Sequence, residues 1–275
     1  MIGHPAGVSV GGVRIDRGRW GQLPYTATGD GDPLIVLAGL SGTAGSVGDR
    51  EFGSIVAPVR QLAASRRLIV LNRRSGMPDG LTMAELAGWH DAAARAGVGG
   101  PVDVLGVSTG GSIAQQWAAD HPTGVRRLVL VSTACRLGPV GRHEQARVGE
   151  LLRAGSPRSA VALVAGALAP AGLRGVARAI GWAATPALLA GPTAAADLAV
   201  TIEAEDAFDL AGRPAIQSPT LIVAGGRDRF YGPALFLETA RLIPNGRLFV
   251  VPGRGHVGVV ADRRARATIA GFLTG

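Results

Sequence analysis

Residues 101–114 constrain this chain more than any other stretch. They read as a short apolar strand over 102–105, a pivot of small residues, and a helix marked by Ile113, Ala114, Trp117 and Ala118 at helical spacing. Gly106 and Gly110 flank Ser108 two positions to either side, where a side chain would collide with the crossing backbone of so sharp a strand-to-helix bend. A serine at such a turn is thrust out of the fold. The same G-x-S-x-G spacing recurs at Gly7-Val8-Ser9-Val10-Gly11, but with no apolar strand before it and no helix after it. Ser9 is therefore expected in a loose N-terminal segment, and context rather than the pattern carries the inference.

The surrounding chain supplies that context. Strands are expected at 13–17, 23–28, 34–38, 68–71, 102–105, 128–131, 220–224 and 248–251, several of them continuous apolar runs suited to strands covered on both faces. Helical patterns fall between them: Phe52, Ile55, Val59 and Leu62 mark one, and Thr82 with Glu85 forms a capping box at the start of another. Such alternation predicts a doubly wound α/β fold around a mostly parallel sheet. The rhythm changes over 139–214, where no strand is expected and Ser156-Pro157 and Thr185-Pro186 look like helix starts with proline at the first helical position. The expected organisation is an α/β core in two parts, 1–138 and 215–275, with a helical cap inserted at 139–214 over the C-terminal edge of the sheet.

Composition narrows the function classes. The net charge of +8 invites a nucleic-acid reading, but all 28 basic residues are arginines, placed singly or in pairs with no basic run, so no nucleic-acid partner is expected. Cys135 is the one cysteine, which excludes an intrachain disulfide and reads as a packed thiol. The histidines and carboxylates show no ligand spacing, so neither a metal nor a cofactor is expected. The most apolar stretch, 160–168, is too short to span a bilayer, and the opening residues lack a basic region followed by an apolar core. A cytoplasmic protein acting on a small apolar molecule is the expectation.

A serine exposed at a strand-to-helix turn becomes a nucleophile only if a base takes its proton and an acid orients that base. Of the five histidines, His4, His90, His121, His143 and His256, only His256 follows the last expected strand, in a loop of small residues. Asp228 follows the strand at 220–224, whereas the loop at 132–138 contains no carboxylate. Ser108, Asp228 and His256 thus stand in the chain order expected of this architecture. Developing negative charge on a carbonyl oxygen would meet the amide of Thr109 and, from the glycine-rich loop 39–45, that of Leu40, with Ser41 as the alternative in that loop. Ser41, Trp182 and Phe208 are candidates for lining a substrate pocket, and Glu203 and Asp206 are expected to face solvent.

Gly29-Asp30-Gly31-Asp32-Pro33, Gly106-Val107-Ser108-Thr109-Gly110-Gly111, Ser218-Pro219-Thr220-Leu221-Ile222-Val223 ahead of Asp228, and Gly255-His256 together resemble serine hydrolases of the α/β-hydrolase fold that carry a helical cap. The resemblance runs from Val13 to the end and implies a Ser-Asp-His triad working through an acyl-enzyme on a small, largely apolar ester, lactone or thioester. Serine at the elbow sets the chain apart from haloalkane dehalogenases and epoxide hydrolases, which resemble this fold but place aspartate there. It departs from the family pattern twice, with Ala38-Gly39 in place of His-Gly and Asn72-Arg73-Arg74-Ser75-Gly76 in place of an Asp-x-Arg-Gly turn. A cyclase or acyl transferase, or a low-turnover ligand-binding protein on the same fold, stays open beside the hydrolase.

Overall fold

Apolar runs separated by helices fold here into one sheet with helices on both faces. The computed structural model describes residues 8–10 and 13–275. Among these, the strands are β1 (Val8–Val10), β2 (Val13–Trp20), β3 (Leu23–Thr28), β4 (Asp32–Leu37), β5 (Arg66–Leu71), β6 (Val102–Val107), β7 (Val125–Val131), β8 (Thr220–Gly225) and β9 (Gly246–Val251). They lie in the order β1-β2-β3-β5-β4-β6-β7-β8-β9, antiparallel from β1 through β5 and parallel from β5 to β9. The helices are α1 (Asp49–Ile55), α2 (Met83–Gly97), α3 (Thr109–Asp120), α4 (Pro139–Arg153), α5 (Pro157–Leu168), α6 (Arg174–Leu188), α7 (Ala194–Asp206), α8 (Pro233–Leu242) and α9 (Arg263–Thr274).

The period-two geometry of strands sorts the apolar residues into two cores. Ile35, Leu37, Val104, Leu128, Leu130 and Ile222 pack with α2, α3 and α8 on one face. Leu34, Val36, Leu105, Val129, Val131 and Val223 pack with α1 and α9 on the other. Both faces being covered explains why these strands read as unbroken apolar runs. Within α3, Trp117 is fully buried, and burial of a side chain that size stabilises by about 2–3 kcal/mol. The helix that starts at Ser108 is thereby fixed against the sheet.

Three expectations are corrected. Ser9 lies in β1, paired with Arg14 of β2, because Val8 and Val10 extend the antiparallel edge; it stands at the far end of the sheet from β6. The helix expected through Leu62 stops at Ile55, since Pro58 interrupts it, and a separate 3-10 turn, Arg60–Ala64, carries Leu62 into the core. Thr185-Pro186 is not a helix start: Pro186 sits in the last turn of α6, where the hydrogen bond it cannot donate is lost close to the helix end. No helix among the described residues is long and apolar enough to cross a membrane.

His90 of α2 is 1% exposed, with Nδ1 2.7 Å from the Leu86 carbonyl. Burial pushes its pKa from 6.5 down to about 4. The folded protein therefore binds fewer protons than the unfolded chain between those values. Stability should hold above the unfolded value and fall as pH drops towards the folded one, by about 2–3 kcal/mol. Urea unfolding of wild type and His90→Gln at neutral pH and near pH 4.5 checks this: the variant should show a smaller loss.

Candidate active site

The bend at Ser108 is built by close backbone approach. A Cβ on Gly106 would lie 2.5 Å from the Gly110 carbonyl oxygen, and one on Gly110 would strike the carbonyls of Leu37 and Ala38. Glycine at both positions lets β4, β6 and α3 meet. Ser108 pays for this with φ 50° and ψ −122°, a backbone conformation uncommon outside glycine that lifts its side chain off the end of the sheet. Its amide donates to the Val131 carbonyl at 2.9 Å, anchoring the turn to β7.

His256 arrives from the loop after β9. Its Nε2 lies 3.0 Å from Ser108 Oγ, and its Nδ1 lies 2.9 Å from Asp228 Oδ2. The Asp228 side chain is fully buried, while His256 is 13% exposed. Asp228 Oδ1 accepts from the amides of Phe230 at 2.9 Å and Tyr231 at 3.4 Å, so the carboxylate is held from both ends. The rings of those two residues also hold the imidazole: Tyr231 stacks with it at 5.9 Å and 20°, and Phe230 tilts against it at 4.8 Å. Ser132, at φ 51° beyond the end of β7, donates its hydroxyl to the His256 carbonyl at 2.6 Å. A structural seryl hydroxyl leaves no pattern in sequence, and Ser132 was not singled out.

The cavity in front of Ser108 has a volume of about 360 Å³. Its floor carries Ser108, Thr109, His256 and Leu40. Its walls are largely apolar, with Val148 from α4, Leu163 and Val164 from α5, and Val257 and Val260 from the last loop. Trp182 and Phe208 are not among its lining residues. Trp182 is 49% exposed on α6 with the Arg158 guanidinium over its ring at 4.4 Å, and Phe208 is buried beneath in the core. A large apolar side chain in sequence is equally consistent with a pocket wall, a core position or an exposed face, and these two take the last two. Ser41 borders an adjoining chamber; its hydroxyl is held by Glu51 at 2.9 Å and accepts from the Thr43 amide at 3.1 Å.

The loop carrying Leu40 is braced from the segment after β5. Asn72 Nδ2 donates to the carbonyls of Thr43 and Gly45, each at 2.9 Å. Arg73 donates to the Ser41 carbonyl at 2.6 Å and to the Thr201 hydroxyl of α7. Burial pulls the Arg73 guanidinium down to about 10, against the opposing charge of Asp197, Glu205 and Glu51. The two departures from the family pattern thus meet in space: where the usual histidine is absent beside Gly39, Asn72 and Arg73 grip the same loop.

Behind Ser108, Glu205 of α7 is 1% exposed. Its carboxylate accepts from Thr109 at 2.7 Å, Gln145 at 2.8 Å, Ser112 at 2.9 Å and Tyr231 at 3.4 Å. One residue therefore ties α4 and α7 to the first turn of α3. Glu205→Gln replaces an acceptor with a donor amid these hydroxyls and should cost about 1–3 kcal/mol in urea unfolding. Glu203, by contrast, is exposed and paired with Arg153 at 2.7 Å, as expected of it. Asp206 departs from expectation: it is half-buried, and burial, then the neighbouring Glu205 charge, push its carboxyl up to about 7. Cys135 is a buried free thiol.

A family model described as the alpha/beta hydrolase family matches residues 34–270. Among curated proteins, the chain is 37% identical over 169 residues to the polyketide synthase ThaQ of Burkholderia thailandensis, a match covering 57% of this chain and 8% of that protein. Among solved structures, a candidate non-heme bromoperoxidase, BpoC, from Mycobacterium tuberculosis is 26% identical, covering 92% of this chain and 95% of the other, with a TM-score of 0.71. The enol-lactonase of Burkholderia xenovorans, 22% identical and matched over 98% and 100% of the two chains, has a TM-score of 0.72.

Proposed function

Because the chain belongs to the alpha/beta hydrolase family, we propose that it is a serine hydrolase that acts through an acyl-enzyme on a small, largely apolar ester, lactone or thioester. The observation that carries this reading is the hydrogen-bonded chain from Ser108 Oγ through His256 to Asp228, at 3.0 Å and 2.9 Å, on the floor of an apolar cavity. His256 Nε2 takes the Ser108 proton as Oγ attacks the carbonyl carbon. Asp228 holds the ring in the tautomer that leaves Nε2 free and stabilises the imidazolium that forms. His256 then delivers the proton to the departing oxygen or sulfur. Water activated by the same nitrogen releases the acid.

The oxyanion is received by two amides. Thr109 occupies the first position of α3, where helix geometry leaves the N–H without an intrahelical acceptor. Leu40 supplies the second from the braced loop. Each such donor contributes roughly 10²- to 10³-fold in rate. The similarity to part of a polyketide synthase favours one second reading, in which an alcohol or amine rather than water takes the acyl group. Product analysis with and without an added nucleophile separates the two.

A fluorophosphonate probe tests the function directly. Wild type should be labelled covalently at one site, and Ser108→Ala should not be labelled. A wild type that stays unlabelled overturns the proposal.

A further inference from the structure

Asp228 is buried in the turn that follows β8, where its amide donates to the Gly225 carbonyl at 3.0 Å, while the residues on either side of it stay at the surface. Arg227 and Arg229 are accordingly exposed, and neither forms an ion pair among the described residues. The loop after β9 runs beside them, joined by the Arg227 amide donating to the Arg254 carbonyl at 2.8 Å. Arg254 lies two residues before His256 and pairs with Asp262 at 2.9 Å. The loops that carry the acid and the base thus also carry three guanidiniums.

These arginines line a chamber of about 810 Å³ whose wall contains no carboxylate. It adjoins the Ser108 cavity, with Leu168, Phe230, His256 and Val257 belonging to both walls. A second chamber, about 680 Å³, shares Leu40, Val148 and Val164 with the cavity but is not lined by His256, and its wall combines Val161 and Leu189 with Asp49, Arg50 and Glu51. The cavity therefore opens in two directions of different character. One borders His256 and carries arginines without carboxylates; the other borders Leu40 and is mostly apolar, with its few charged residues of both signs.

Resting on the serine-hydrolase reading above, this polarity orients the substrate. The leaving atom must reach His256 Nε2 to be protonated, so the leaving group exits on the arginine side. The acyl chain, whose carbonyl oxygen faces the Leu40 and Thr109 amides, runs the other way. A single carboxylate would satisfy one guanidinium fork, whereas a phosphate presents three acceptor oxygens and roughly two charges to several. We propose that the substrate is an ester or thioester with an apolar acyl chain and a phosphate on its leaving group. Hydrolysis breaks the acyl–oxygen or acyl–sulfur bond, consumes one water, and yields the free acid and the phosphorylated alcohol or thiol.

Two matched pairs test this, each differing only in the phosphate: octanoyl-phosphopantetheine against octanoyl-pantetheine, and 1-octanoylglycerol 3-phosphate against 1-octanoylglycerol. The phosphorylated member of at least one pair should have a kcat/KM about tenfold higher, and which pair responds distinguishes a long thiol arm from a short glycerol arm. That ratio should fall towards one in Arg227→Gln/Arg229→Gln. In wild type it should also shrink in high salt, a measurement that does not depend on the variant folding. A ratio near one for both pairs, or one unmoved by salt, overturns the proposal. So does a protein that takes the fluorophosphonate label but hydrolyses none of the four compounds, whereas an unlabelled protein overturns the hydrolase reading itself.

Discussion

Ser108→Ala and His256→Ala should each lower kcat/KM by roughly 10⁴-fold or more, and the double variant should lose little beyond either single change. The reason lies in how the two side chains share one step. Without His256 the Ser108 hydroxyl keeps its proton and attacks poorly; without Ser108 the imidazole has no bound nucleophile to activate. Removing the second member of a unit already disabled removes almost nothing further. Losses that multiply would mean that the two residues act independently and would contradict an acyl-enzyme built on their 3.0 Å contact. Asp228→Asn should cost nearly as much while leaving the fold intact, because the amide still accepts from the Phe230 and Tyr231 backbone but can stabilise the wrong imidazole tautomer. Initial rates on a short-chain activated ester, with circular dichroism to check folding, measure all four proteins.

The residues that form this chain of contacts were legible because each obeys a local rule. Ser108 is marked by glycines that the crossing backbone demands, and His256 by being the histidine that follows the last strand. Asp228 is marked by the end of an apolar strand with no rival carboxylate in the preceding loop. The strands were legible for a related reason: with both sheet faces covered, the apolar runs at 34–37, 128–131 and 221–224 are uninterrupted. What escaped was fixed by tertiary contact. Glu205 looks in sequence like one of three adjacent cap acids, and only the arrival of α3 beneath α7 converts it into a buried acceptor for Thr109 and Ser112. Trp182 failed as a pocket candidate because a large aromatic side chain can also lie at the surface, here under the Arg158 guanidinium, and Pro186 failed as a helix start because a proline is also tolerated where a helix is about to end.

The Asn72-Arg73 departure is the most informative of these, because it leads to the second large effect. Arg73→Met should destabilise the fold by about 3–5 kcal/mol, since Asp197 and Glu205, at 2% and 1% exposed, would lose the buried cation that offsets their charge. It should also lower kcat by roughly 10- to 100-fold, because a displacement of about 1 Å in an oriented group can cost that much. The Ser41 carbonyl would lose its 2.6 Å partner, while Asn72 would still hold Thr43 and Gly45, so the loop would loosen without being released. In the proposed mechanism the Leu40 amide serves the transition state more than the bound ester, so KM should change much less than kcat.

Arg73→Lys separates charge from geometry. An ammonium restores the cation and most of the stability, but it lacks the planar fork that reaches the Ser41 carbonyl and the Thr201 hydroxyl together, so kcat should stay low. Arg74→Met is the control, since the Arg74 guanidinium stacks over Trp89 at 4.7 Å and makes no hydrogen bond to the loop among the described residues. Urea midpoints report the stability change, and kinetics at a temperature where every variant is folded report the turnover. If folded Arg73→Met turns over at the wild-type rate, the loop does not depend on this brace and Asn72 alone substitutes for the missing histidine.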